Sequence, residues 1–140
     1  MKRKNVLYML FLSLMIAATA CQPEEPDDDQ PIDDPRTAYT GSWLCNELGG
    51  QSYTVQINLD SANSTQVKFY NFHHLGFDEM VRGVVAGSTV TLPSQTACAG
   101  TITIEGTATM SSSNTNMDFI YYVDDGSNID TIQASYVKQN

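Results

Sequence analysis

From Thr40 onward, apolar and polar residues alternate in short runs, the two-residue period of strands with one face buried and one face wet. Tyr53, Val55, Ile57 and Leu59 share one face against Gln56 and Asn58 on the other. Ile102 and Ile104 oppose Thr101 and Thr103 in the same way, and Ile132, Ala134 and Tyr136 oppose Gln133 and Ser135. No stretch holds a helical period. The runs are rich in Val, Ile, Thr, Tyr and Phe and end at Gly49-Gly50, Ser61-Ala62-Asn63-Ser64, Gly87-Ser88 and Asp124-Asp125-Gly126-Ser127-Asn128, residues that tolerate positive φ or cap a backbone locally. The pattern predicts strands over 41–48, 52–59, 65–72, 80–86, 89–92, 101–110, 116–123 and 129–138. Short links make consecutive strands antiparallel neighbours. The predicted fold is an all-β, eight-stranded antiparallel up-and-down barrel, which leaves no open edges; a two-sheet β-sandwich is the alternative.

The chain upstream obeys a different rule. Basic Lys2, Arg3 and Lys4 precede an apolar run over 6–17 and small Ala18, Thr19 and Ala20, the three parts of a secretory signal. The run is shorter than the roughly 20 apolar residues of a membrane-spanning helix. Ala18-Thr19-Ala20-Cys21 resembles the lipobox cut by the lipoprotein signal peptidase, with Ala where Leu is usual at its first position. The resemblance implies lipidation of Cys21, with two or more acyl chains giving a stable membrane anchor. The implied organisation is a signal peptide over residues 1–20, a lipidated cysteine and tether over 21–38, and a barrel domain over 39–140.

Residues 22–36 carry seven acids and four prolines, and Ile32 is their only apolar residue. Such a segment cannot bury enough surface to fold, and charge repulsion and proline extend it to roughly 40 Å as a spacer. Glu24, Glu25 and Asp27 to Asp29, so close to Cys21, resemble the acidic export signal of Bacteroidota lipoproteins and imply the outer face of the outer membrane. A plain linker facing the periplasm is the other reading. Loss of the three leading cations takes the mature chain to a net charge of about −12. A polyanion of this kind repels nucleic acid and anionic headgroups.

Gly41-Ser42-Trp43 on the first strand resembles the Gly-x-Trp of lipocalins, whose indole closes one barrel end under a basic residue of the last strand. That resemblance assigns closure to Trp43 and Lys138. Trp43-Leu44-Cys45, Asn71-Phe72 and Leu92-Pro93-Ser94-Gln95 extend the likeness to small lipocalin-like lipoproteins of Bacteroidota.

Cys45 and Cys98 are the cysteines left after lipidation, and an exported domain sits in an oxidising compartment. They are expected to pair, closing a loop of about 54 residues and stabilising the fold by roughly 4 kcal/mol on the chain-entropy model. His73 and His74, near Asp78 and Glu79, lack His-x-His or zincin spacing and read as a solvated loop without a metal. Asp124, Asp125, Asn128 and Asp130 lack the twelve-residue calcium loop and read as a hairpin turn. No Gly-x-Ser-x-Gly elbow and no phosphate-cradling glycine loop occur. A non-enzymatic domain without a cofactor is therefore expected. Asp60-Ser61-Ala62 and Asp130-Thr131-Ile132 resemble the Bacteroidota O-glycosylation acceptor, with Ser61, in a turn, the more accessible of the two hydroxyls.

Phe119-Ile120-Tyr121-Tyr122-Val123 is apolar on both faces, so one side meets something other than the core. Packing beneath a loop, a protein interface and a sugar-stacking surface all fit this pattern. Two functions follow: a surface-displayed binding or accessory module for a glycan, peptide or envelope protein, or a carrier enclosing a small apolar ligand. A barrel this small, lined by Tyr53, Ile57, Phe69, Phe119 and Tyr136, is expected to be filled by its own side chains, which favours the module.

Overall fold

The computed structural model describes residues 33–140; the signal segment, Cys21 and all but the end of the acidic tether lie outside them. Its strands are β1 (Gly41–Glu47), β2 (Ser52–Leu59), β3 (Gln66–Tyr70), β4 (Met80–Ala86), β5 (Thr89–Ala97), β6 (Ile102–Met110), β7 (Asn116–Asp124) and β8 (Ile129–Lys138). Each pairs antiparallel with the next and β8 returns to β1, closing a barrel. Closure is fixed by Cys45, which faces Tyr53 of β2 on one side and Tyr136 of β8 on the other. The fold is the barrel, not the sandwich.

Alternation puts the predicted lining inside: Ile57, Phe69, Phe119 and Tyr136 are essentially without solvent contact, and Tyr53 is buried near one rim. Phe69, Phe119, Tyr121 and Tyr136 cross the interior at ring spacings of 4.6–6.4 Å. Where the wall must come close, β4 uses Gly83; a Cβ there would lie 2.6 Å from Val90 and 2.8 Å from Phe69.

Two elements depart from the pattern. β5 runs past Leu92 to Ala97, through a register shift between Leu92 and Gln95. Pro93 has no N–H for the ladder, and the Gln95 side chain substitutes for it toward β4: Arg82 N donates to Gln95 Oε1 and Gln95 Nε2 donates to Arg82 O, both at 2.8 Å. The folded domain also begins before residue 39. Pro35–Tyr39 form a 3-10 turn whose Arg36 is buried, its guanidinium donating to the carbonyls of Asp60, Asn63 and Gln66 at 2.8–3.1 Å.

This entry turn closes one end of the barrel. Trp43 Nε1 donates to Tyr39 O at 2.8 Å, and Tyr39 Oη donates to Gly87 O at 2.9 Å. Lys138 Nζ donates to Ala38 O at 2.8 Å and stands 5.3 Å from the centroid of the Trp43 ring. The two residues assigned to closure thus meet at this end, with a cation over an indole face.

Candidate functional site

The opposite end is built from strained links. Six non-glycine residues among those described have positive φ, and five of them lie here: Asn71, His73 and His74 between β3 and β4, and Cys98 and Ala99 between β5 and β6. Such conformations persist only where the surroundings hold them, and they concentrate at functional sites. The β3–β4 link folds inward as a lid over Phe72–His74, with Asn71 as its clamp. Asn71 Nδ2 donates to Thr54 O at 2.7 Å, and Asn71 Oδ1 accepts from Gly76 N at 2.9 Å. Phe72 drops into the barrel against Phe69, Phe119 and Tyr121, with centroids 4.7–5.9 Å away. The second link is tied to the first where Cys98 N donates to Glu79 Oε2 at 3.0 Å.

Beneath the lid sits one half-buried carboxylate. Glu47 Oε1 accepts from Tyr53 Oη at 2.5 Å, Tyr121 Oη at 2.6 Å and His73 Nδ1 at 2.9 Å. Because a carboxylate only accepts, His73 carries its proton on Nδ1. Burial raises the Glu47 pKa, but the hydrogen bonds from Tyr121, Tyr53 and His73 outweigh it and hold the carboxyl below its ordinary value. Burial pushes the Tyr53 and Tyr121 hydroxyls well above the usual phenol range. His74 stacks on Tyr53 at 5.3 Å. Deeper still, the fully buried Tyr136 hydroxyl has no hydrogen-bond partner, with the Cys45 thiol beside it. Neutral phenols around one carboxylate, roofed by an imidazole, make a site for a hydrogen-bond donor or cation.

The expected bond between Cys45 and Cys98 is not formed: both thiols are free. In an eight-stranded ring β5 stands opposite β1, so Cys45 inside β1 and Cys98 just beyond β5 belong to opposite walls. Burial pushes the Cys45 thiol up to about 11. His73 departs from the expected solvated loop, half-buried on Glu47, whereas His74 is exposed as expected. No three metal-ligating side chains converge among the described residues. Asp124 and Asp125 accept from the backbone of Gly126, Ser127 and Asn128, so their oxygens serve the turn itself. Ser61 is exposed in the β2–β3 turn, beside a buried Asp60 engaged by Lys68 at 3.0 Å. Cys21 lies outside the described residues.

On the outer wall Ile120 and Tyr122 of β7 are 47% and 40% exposed. Two shallow grooves meet at Ile120, one of about 490 Å³ with Asp118 and Ser135, the other of about 590 Å³ with Glu105 and Tyr122. No Lys or Arg lines either. Lys68 and Arg82 lie on β3 and β4, across the ring from β7 and β8, at 3.0 and 3.9 Å from Asp60. The strained lid escaped the sequence reading because Phe72 continues the apolar pattern of β3 and nothing local marks positive φ at a histidine.

No protein-family model and no curated protein matches the chain. Among solved structures it is similar to a redesigned beta barrel, b11L5F_LGL, at 17% identity and a TM-score of 0.49, covering 76% of this chain and 96% of that one. It is also similar to EF1p2_mFAP2b bound to DFHBI, at 15% identity and a TM-score of 0.48, covering 76% and 98%.

Proposed function

We propose that this chain is a lipoprotein anchored through Cys21, carrying a non-enzymatic binding module displayed on the outer membrane. The module docks an envelope protein on the outer wall around β7. The packed interior carries this reading: with the lid in place aromatic side chains fill the barrel, and the outer wall is the face left open to a protein partner. The outer wall supplies an apolar strip, Ile120 and Tyr122, flanked by Asp118 and Glu105 with no cation lining its grooves. Charge complementarity selects a neutral or basic protein surface, and the acidic tether gives the domain reach to meet it.

A photo-crosslinking amino acid placed at Tyr122, with one at Lys68 on the far wall as control, tests the reading in cells. A discrete envelope protein is captured from position 122 and not from 68. Once purified, it binds the module with an affinity that falls with added salt and with Asp118→Lys. Equal capture from both walls, or adducts to glycan only, overturns the protein interface. Protease treatment of intact cells removes the domain if it faces outward, and metabolic acyl labelling is lost in Cys21→Ala.

A further inference from the structure

We propose that the lid end conceals a binding site for a small aromatic amine, which Phe72 and His73 of the lid occupy as an internal stand-in. This goes beyond docking on the outer wall and uses neither Ile120 nor Tyr122, although Glu47 and Phe119 also border one of the grooves there.

The lid supplies both parts of such a molecule from adjacent residues. Its ring is Phe72, placed between Phe69, Phe119 and Tyr121 by a link instead of a strand. Its nitrogen donor is His73 Nδ1, 2.9 Å from Glu47 Oε1. The chain holds them there at a cost, with φ of 60° at Asn71, 50° at His73 and 57° at His74. What lies beneath is permanent: Glu47, Tyr53 and Tyr121 belong to β1, β2 and β7 and stay when the lid leaves. A carboxylate among aromatic rings attracts an organic ammonium, which offers the same N–H donors and adds a cation for the ring faces. The fully buried Tyr136 hydroxyl beside this network has only the Cys45 thiol, a weak partner, next to it, so the core is not wholly satisfied by its own polar groups. A neutral alcohol can donate a hydrogen bond to Glu47 but brings no opposite charge, and a carboxylated ring meets Glu47 with like charge.

A lid that competes for its own site lowers the apparent affinity by the fraction of open molecules. Loosening the lid therefore tightens binding, the opposite of what deleting a ligand contact does.

Calorimetric titration of the purified chain with 2-phenylethylamine, with 2-phenylethanol as the neutral isostere, decides the matter. The amine binds saturably and about tenfold or more tighter than the alcohol, and binding is lost in Glu47→Gln. His73→Ala, a change to a half-buried side chain that leaves the barrel wall intact, tightens amine binding by about tenfold. Phe72→Leu, which keeps the plug apolar, tightens it to a lesser degree. Equal affinity for amine and alcohol, unchanged binding in Glu47→Gln, weaker binding in His73→Ala, or no binding to either wild type or His73→Ala overturns the proposal. Tyr122→Asp leaves amine binding unaltered, so failure here and failure at the outer wall are read separately.

Discussion

Cys45 and Cys98 have different fates because their environments differ. Cys45 is sealed inside β1, where burial pushes its thiol up to about 11, while Cys98 sits partly exposed on a turn. Thiolate is the reactive form, so alkylation of the native protein near neutral pH modifies the peptide containing Cys98 and spares the one containing Cys45, as peptide mass mapping reports. Intact mass with and without reductant shows no bond between the two. Gly83 makes a second residue-scale point. Its missing Cβ leaves room for Val90 and Phe69, so Gly83→Ala overpacks the core and costs about 1–3 kcal/mol in urea unfolding. Neither environment was legible in the sequence: a cysteine count offers a partner but no walls, and a glycine inside a strand does not say which side chain crosses above it.

At the scale of elements, seven of the eight strands ran close to their predicted bounds because alternation and turn chemistry agree. The predicted fifth strand stops at Leu92, whereas β5 runs on to Ala97 through Pro93, a residue that usually ends a central strand. The structure keeps the strand by letting the Gln95 amide stand in for missing ladder bonds to Arg82. Gln95→Ala therefore destabilises by about 1 kcal/mol, and hydrogen exchange at the Arg82 amide accelerates more than at Val84, whose neighbourhood keeps its backbone pairing to Thr91. The entry turn is the other surprise. Arg36 reads as the last residue of a charged tether, yet it binds three carbonyls across the β2–β3 turn. Only the return of distant strands creates those acceptors.

For the whole molecule, closure divides the surface and the charge. Cations gather at the entry end and on the β3–β4 wall, leaving the outer face of β7 and β8 with acids and apolar side chains. Folding also couples acid stability to the lid. Glu47 has a folded pKa below its ordinary value near 4.5, so its contribution is present above that value and is lost as the pH falls through the depressed one. Asp60, held low by backbone and Lys68 hydrogen bonds, acts in the same direction. Melting temperatures followed from pH 7 down to pH 3 fall in the wild type, and its advantage over Glu47→Gln narrows along the way. An advantage that stays constant with pH contradicts the Glu47 network.

The sequence by itself determined the all-β class, the strand order and the inward set of aromatics, because alternation and turn residues act over a few positions and need no distant partner. Tertiary structure alone decided which polar groups meet. Glu47, His73 and Tyr121 are far apart along the chain and come together only when β1, the β3–β4 link and β7 reach the same end of a closed ring. The same closure set Cys45 and Cys98 on opposite walls and swung Phe72 from the end of a predicted strand into the core. Hydrophobic burial dictates that a ring of this size is filled; register and link geometry dictate with what.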